Sequence, residues 1–161
     1  VCVANIIYNA VSHYITKLRK KLIPKLKFCS LIFLEEYMKI VKQKFGMLSD
    51  GTKVNLFTVK NDKMSFSCTD YGCTLTSIVI NKDDGTKTDV LLGFSTLEGY
   101  LNTKFCFGSI VGRFANRIGK ASFTLNDTKY QLDKNDGPNT LHGGFDGYDK
   151  MMWSAKEIKK K

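Results

Sequence analysis

Two short segments hold most of the side chains that could do chemistry. The first, Gly112-Arg113-Phe114-Ala115-Asn116-Arg117-Ile118, sets Arg113, Asn116 and Arg117 into an otherwise apolar stretch. A guanidinium held there offers a rigid fork of N–H donors to hydroxyl or ring oxygens. The plainer reading is a surface arginine with a turn-stabilising asparagine, since both residue types are commonly exposed. The second segment, Gly137-Pro138-Asn139-Thr140-Leu141-His142-Gly143-Gly144, flanks His142 with two glycines that let a ligand approach the backbone closely. Histidine titrates nearest neutrality and suits proton transfer or polar recognition, although a loop histidine is also a common hydrogen-bonded surface residue. No glycine-rich phosphate cradle follows a strand and opens a helix. With only His13 besides His142, and five cysteines lacking any C-x-x-C pair, neither an imidazole-rich metal site nor a disulfide framework is visible. The cysteine use therefore points to a cytoplasmic protein of a reducing compartment.

The elements that must position these residues read as strands. Val54, Leu56 and Thr58, then Met64, Phe66 and Cys68, alternate with polar neighbours, the pattern of strands with one buried face. The run Thr76 to Ile80 continues it, and Asn81-Lys82-Asp83-Asp84-Gly85 is a tight-turn signal. Asp89 to Phe94 predicts a more buried strand. Ser95 to Asn102 predicts one helical turn capped by Ser95, with Glu98 completing a capping box. After the apolar Phe105, Phe107 and Ile110-Val111, the runs Ala121 to Leu125 and Lys129 to Leu132 form a hairpin around Asn126-Asp127-Thr128. Asp133 to Lys150 reads as a polar, glycine-rich loop, the kind a rigid β scaffold uses for binding. Five to seven short strands with frequent turns predict an all-β antiparallel sandwich or barrel.

A length of 161 residues suits one ordinary domain. The formal net charge of +10 invites a polyanionic partner only if it is spread over the folded part. It is not so spread. Residues 1–48 carry nine basic and two acidic side chains, the last three residues are lysines, and residues 49–158 hold thirteen of each sign. The N-terminal stretch, weakly helical and broken at Pro24, has an apolar run of only seven residues from Phe28 to Leu34, against roughly 20 for a membrane span. Glu35, Glu36 and Tyr37 stand where a secretory cleavage site would need small residues. The expectation is no membrane and no nucleic-acid partner; a DNA-binding alternative would rest on the basic flanks alone.

Taken together, the motifs resemble the aldose 1-epimerases, or galactose mutarotases. The likeness runs from about Phe45-Gly46 to Trp153. It is carried in the family's order by 71–77, by Asp89 to Phe94, by Leu97-Glu98-Gly99-Tyr100, by the two segments above, and by Gly147-Tyr148-Asp149-Lys150. The resemblance implies an antiparallel β-sandwich of the galactose mutarotase type, incomplete here, occupying 38–158. Residues 1–37 would be a helical extension foreign to the family, and 159–161 a basic tail. It implies interconversion of α and β hexose anomers, galactose or glucose, by acid/base ring opening, without cofactor, in a full-length member that is monomeric. Asn116, Arg117 and His142 would line the sugar site, with His142 near the ring oxygen as transition-state stabiliser. The family's base is a C-terminal-half Glu, accompanied there by a second His and a binding Asp. None has a counterpart in these residues, and Glu157 is no substitute. The expectation is thus a truncated or alternatively ended product, with read-through ahead of Met38. A competing function is a non-catalytic carbohydrate-binding or interaction protein. Half a sandwich is further expected to expose inner faces and strand edges, and so to associate.

Overall fold

The computed structural model describes residues 39–156. The proposed N-terminal helix, Glu157 and the lysine tail lie outside them. Five strands, β1 (Lys39–Met47), β2 (Lys53–Lys60), β3 (Met64–Thr69), β4 (Leu75–Asn81) and β5 (Lys87–Asp89), form one sheet in sequence order. Every pairing is antiparallel, as consecutive hairpins require.

The turns follow from their residues. Between β1 and β2, Gly51 takes a φ of +86° and donates to the Leu48 carbonyl, while the Asp50 carboxylate accepts from the Thr52 amide at 2.8 Å. Between β2 and β3 the Asn61 side chain accepts from the amides of Lys63 and Met64. Between β4 and β5 the predicted turn forms, with Asp84 accepting from both the amide and the hydroxyl of Thr86. At the opposite end, Asp70 ties the loop after β3 to β2: its two oxygens take the amide and side-chain nitrogen of Asn55 at 2.7 and 2.6 Å.

Three sequence expectations need correction. Strand β1 lies ahead of the first predicted strand. Its three lysines hide it from an apolar-alternation search, and they are what an edge strand carries to discourage further pairing. The stretch Asp89 to Phe94 is not a buried strand. The ladder ends at Asp89, whose carboxylate accepts from the Ile78 and Leu91 amides, and Val90 and Leu92 are 60% and 70% exposed. The one-turn helix α1 (Leu97–Asn102) is capped by Thr96 rather than Ser95, its side chain accepting from the Gly99 amide.

Helix α1 seats on β1 where Gly46 leaves room; a Cβ there would collide with the Leu97 side chain. Leu97 and Tyr100 point inward, and Tyr100 meets Phe94 edge to face at 5.3 Å while its hydroxyl accepts from the Phe94 amide at 2.9 Å. The buried apolar side chains among the described residues are Val54, Leu97, Tyr100 and Ala121. From Asn55 to Val59 and from Leu75 to Val79 every residue is half-buried, so the expected alternation of buried and exposed positions is muted. A sheet with one face packed and one face in water would alternate cleanly; here neither face of these two strands is fully covered among the described residues.

Candidate sugar-binding site

After the sheet and α1, the chain runs through an irregular stretch to β6 (Arg117–Ile118), a 3-10 turn (Gly119–Ala121), the hairpin β7 (Ser122–Leu125) and β8 (Thr128–Gln131), and β9 (Thr140–Leu141). The β7–β8 hairpin is the predicted one. Asn126 and Asp127 both take positive φ, +48° and +58°, the requirement of the two-residue turn that matches strand twist. The hairpin makes the chain double back, and it is followed by the pairing that builds the site: β9 lies antiparallel to β6, with Arg117 opposite Leu141 and Ile118 opposite Thr140.

This short ladder places the two segments side by side. The His142 amide donates to the Asn116 carbonyl at 3.1 Å, and the Asn116 amide donates to His142 Nδ1 at 3.0 Å. Because Nδ1 accepts, a neutral imidazole carries its proton on Nε2 and offers that nitrogen as a donor. Both residues sit in the left-handed region, Asn116 at φ +67° and His142 at +57°. That conformation costs roughly 1 kcal/mol or more for a residue with a side chain. The reciprocal hydrogen bonds hold it.

Arg117 is clamped in turn. Its Nε donates to Asp136 Oδ2 at 2.6 Å, and Nη1 lies 3.4 Å from Asn116 Oδ1 as donor. Asp136 was not among the residues the sequence pointed to. The available signal was an arginine in an apolar stretch needing an acidic partner, and Asp133 and Asp136 both stand in the following polar run. Asn135 is a second addition. Its amide nitrogen donates to the carbonyls of Leu141 and Gly144, and its oxygen accepts from the Leu141 amide at 2.7 Å, so it stands in for a strand along β9. Asp133 accepts from the Phe145 amide.

Two parts of the sequence reading change. Arg113 sets its guanidinium 5.5 Å from the centre of the Tyr148 ring, a cation–π contact, and shares a cleft with Asn116 but not with Arg117. Gly143, at φ +95°, brings the loop against its own chain rather than freeing space for a ligand, since a Cβ there would overlap the Gly112 carbonyl. The Gly147-Tyr148-Asp149-Lys150 motif forms a 3-10 turn (Tyr148–Lys150). It is stitched to the loop after β3 by Gly72 donating to the Met151 carbonyl and by Trp153 donating to the Asp70 carbonyl.

Two clefts flank the ladder. One, of about 380 Å³, is lined by His142 with Tyr71, Thr74, Cys106, Ser109 and Asp149. The other, of about 610 Å³, is lined by Asn116 with Arg113, Phe114, Asp146 and Tyr148. Both lie in the size range of small-molecule sites. In the first cleft, burial and then the nearby Asp149 carboxylate push the Tyr71 phenol above its ordinary range. Burial, reinforced by Asp149 and opposed by Lys150, raises the Cys106 thiol. Both groups are thus kept protonated and neutral. Among the described residues, no three His, Cys, Asp or Glu side chains gather as a metal site would need. No described helix is long and apolar enough to cross a membrane.

Residues 55–161 match the family model described as aldose 1-epimerase. The chain is 42% identical over 122 residues to a mouse galactose mutarotase, covering 75% of this chain and 36% of that protein. It is 36% identical over 109 residues to an Escherichia coli aldose 1-epimerase, covering 67% and 32%. Among solved structures, the galactose 1-epimerase of Lactobacillus acidophilus superimposes with a TM-score of 0.62 at 29% identity, over 73% of this chain and 33% of that one. The chain spans about a third of the length of these relatives.

Proposed function

This chain belongs to the aldose 1-epimerase family, and from that premise we propose that it supplies the hydrogen-bond-donating part of a hexose site in an enzyme that interconverts α and β anomers. The observation that carries the reading is the joint between the two segments, in which the Asn116 amide donates to His142 Nδ1 and so turns Nε2 into a donor. Arg117, whose Nη1 is directed at the Asn116 side-chain oxygen, supplies further donors on the same short ladder.

Mutarotation needs a base to take the anomeric hydroxyl proton and an acid to protonate the ring oxygen as the ring opens; reclosure reverses both steps. Negative charge grows on the ring oxygen as its bond to the anomeric carbon breaks. A donor fixed near that oxygen stabilises the transition state more than the ground state. His142 fits that role and, with Nδ1 engaged, does not fit the role of base. Arg117 and Asn116 would hold sugar hydroxyls. The carboxylate nearest this group by hydrogen bonding, Asp136, is engaged by Arg117. From the family resemblance, the base is assigned to the family's C-terminal glutamate, and residues 38–158 to the first part of the sandwich, with 1–37 as an addition to it.

The substrate is taken as galactose or glucose, and the compartment as the cytoplasm. Polarimetry on freshly dissolved α-D-galactose tests the catalytic half: the 161-residue chain is expected to give no rate above buffer, while NMR titration is expected to show galactose binding that is weakened roughly 10- to 100-fold in Arg117→Ala. Absence of binding by the parent chain would remove this reading, and mutarotation above buffer would mean that a base lies within these residues.

A further inference from the structure

We propose that Asp136 sets the specificity of the Arg117 site: it anchors the guanidinium by its Nε edge and cancels its charge, so that the site accepts a neutral sugar and discriminates against sugar acids and sugar phosphates. The inference rests on the hexose-binding reading above and adds to it the chemical class that is refused.

A free guanidinium is a strong receptor for carboxylate and phosphate, which it grips through two parallel N–H bonds. Arg117 is not free. Its Nε is bound to Asp136 Oδ2 at 2.6 Å, and one Nη1 hydrogen is directed at Asn116 Oδ1 at 3.4 Å. Of the five N–H groups of a guanidinium, about three remain, all on the Nη atoms. The Arg117 side chain is 54% exposed and that of Asp136 32%, so the remaining donors are open to an incoming molecule. An anion arriving at them meets the Asp136 carboxylate beside the guanidinium, and like charges so placed disfavour it. A sugar hydroxyl meets only the donors.

The carboxylate is itself fixed. Asp136 and Asn139 exchange both backbone hydrogen bonds, at 3.1 and 3.0 Å, around Gly137 at φ +57° and Pro138. The Asn139 side-chain oxygen accepts from the Lys120 amide, which ties this turn to the segment just after β6. Asp136 and Arg117 are thus presented to each other from two sides of one ladder, and their separation does not depend on long flexible stems alone.

The test compares D-galactose with D-galacturonate, which carries a carboxylate at the far end of the same ring, by NMR titration of the full chain. The parent protein is expected to favour galactose. Asp136→Asn, which keeps shape and removes charge, is expected to shift the galactose-to-galacturonate affinity ratio by about tenfold or more toward the acid. Asp136→Glu is expected to restore the parent ratio. An unchanged ratio in Asp136→Asn, with galactose still bound, overturns the specificity role. A ligand-free readout tests the anchoring separately: the Arg117 Nε–H resonance is expected to be protected from exchange in the parent and to lose that protection in Asp136→Ala, which removes the acceptor. Protection that persists overturns the anchoring. Failure of the parent to bind either sugar overturns the hexose reading and the specificity role with it, and leaves the anchoring to be decided by the Nε–H signal.

Discussion

At Arg117 the guanidinium is held on one edge and open on the other, and at His142 one ring nitrogen is engaged and the other is left as a donor. Both statements predict measurable behaviour. Arg117→Ala should weaken galactose binding by roughly 10- to 100-fold, the worth of a charge-assisted donor, and His142→Ala by roughly 3- to 10-fold, that of a neutral one. A long-range proton–nitrogen spectrum of the imidazole should show the Nε2-protonated tautomer. Gly143→Ala forces a Cβ toward the Gly112 carbonyl at a φ of +95° and should cost about 1 to 3 kcal/mol in urea unfolding. Tyr71 ionises less readily in the folded chain than in the unfolded one, through burial first and Asp149 second. Its contribution is therefore fully present below the unfolded tyrosine range and fades as pH rises through the higher folded value. Absorbance at 295 nm should show its ionisation delayed, and stability should fall as the pH climbs above about 10. Asn116, Arg117 and His142 were legible as polar residues with suitable spacing. Asp136 and Asn135 were not, because their roles depend on which carbonyls and guanidinium they meet across the ladder.

The elements differ in how much of their own cause they carry. The β7–β8 hairpin and the turns around Gly51 and Gly85 are local: residues tolerant of positive φ sit where the strands must reverse, and the sequence marks them. Helix α1 is local in part: the cap is Thr96, which has the extended backbone and the side-chain bond to Gly99 that a cap requires, and not the neighbouring Ser95. Thr96→Ala should destabilise the chain by about 0.5 to 2 kcal/mol, read as a lower urea midpoint at unchanged slope. Strand β1 and the β6–β9 ladder are not local. The first is an edge strand rich in lysine, held by its pairing to β2 from Lys39–Lys60 to Met47–Lys53. The second pairs two residues with two, too few for any periodicity to announce.

At the scale of the molecule, what stands out among the described residues is how little of the apolar surface is covered. Val90, Leu92, Phe105 and Phe145 are 60%, 70%, 67% and 59% exposed. Uncovered apolar patches of this kind drive association. The 161-residue chain is expected to enhance the fluorescence of a hydrophobic dye and to sediment as species heavier than its 18.2 kDa monomer. A monomer without dye binding would overturn this expectation. The charge has a matching place. Residues 49–158 balance in charge, which suits an uncharged ligand; the described 39–156 also include Lys39, Lys42 and Lys44 of β1, and the rest of the lysine excess lies towards the two ends.

The sequence by itself determined the all-β character, the hairpin turns at 81–85 and 126–128 and the family, because alternation, turn chemistry and ordered motifs are properties of neighbouring residues. Only the tertiary structure decided that Asn116 and His142 exchange hydrogen bonds, that Nε2 is the donor, that Arg113 turns to Tyr148 and that Arg117 is paired with Asp136. Those facts join residues 19 to 35 positions apart in the chain. A contact of that kind depends on where the β7–β8 hairpin returns the backbone, and no local pattern encodes it.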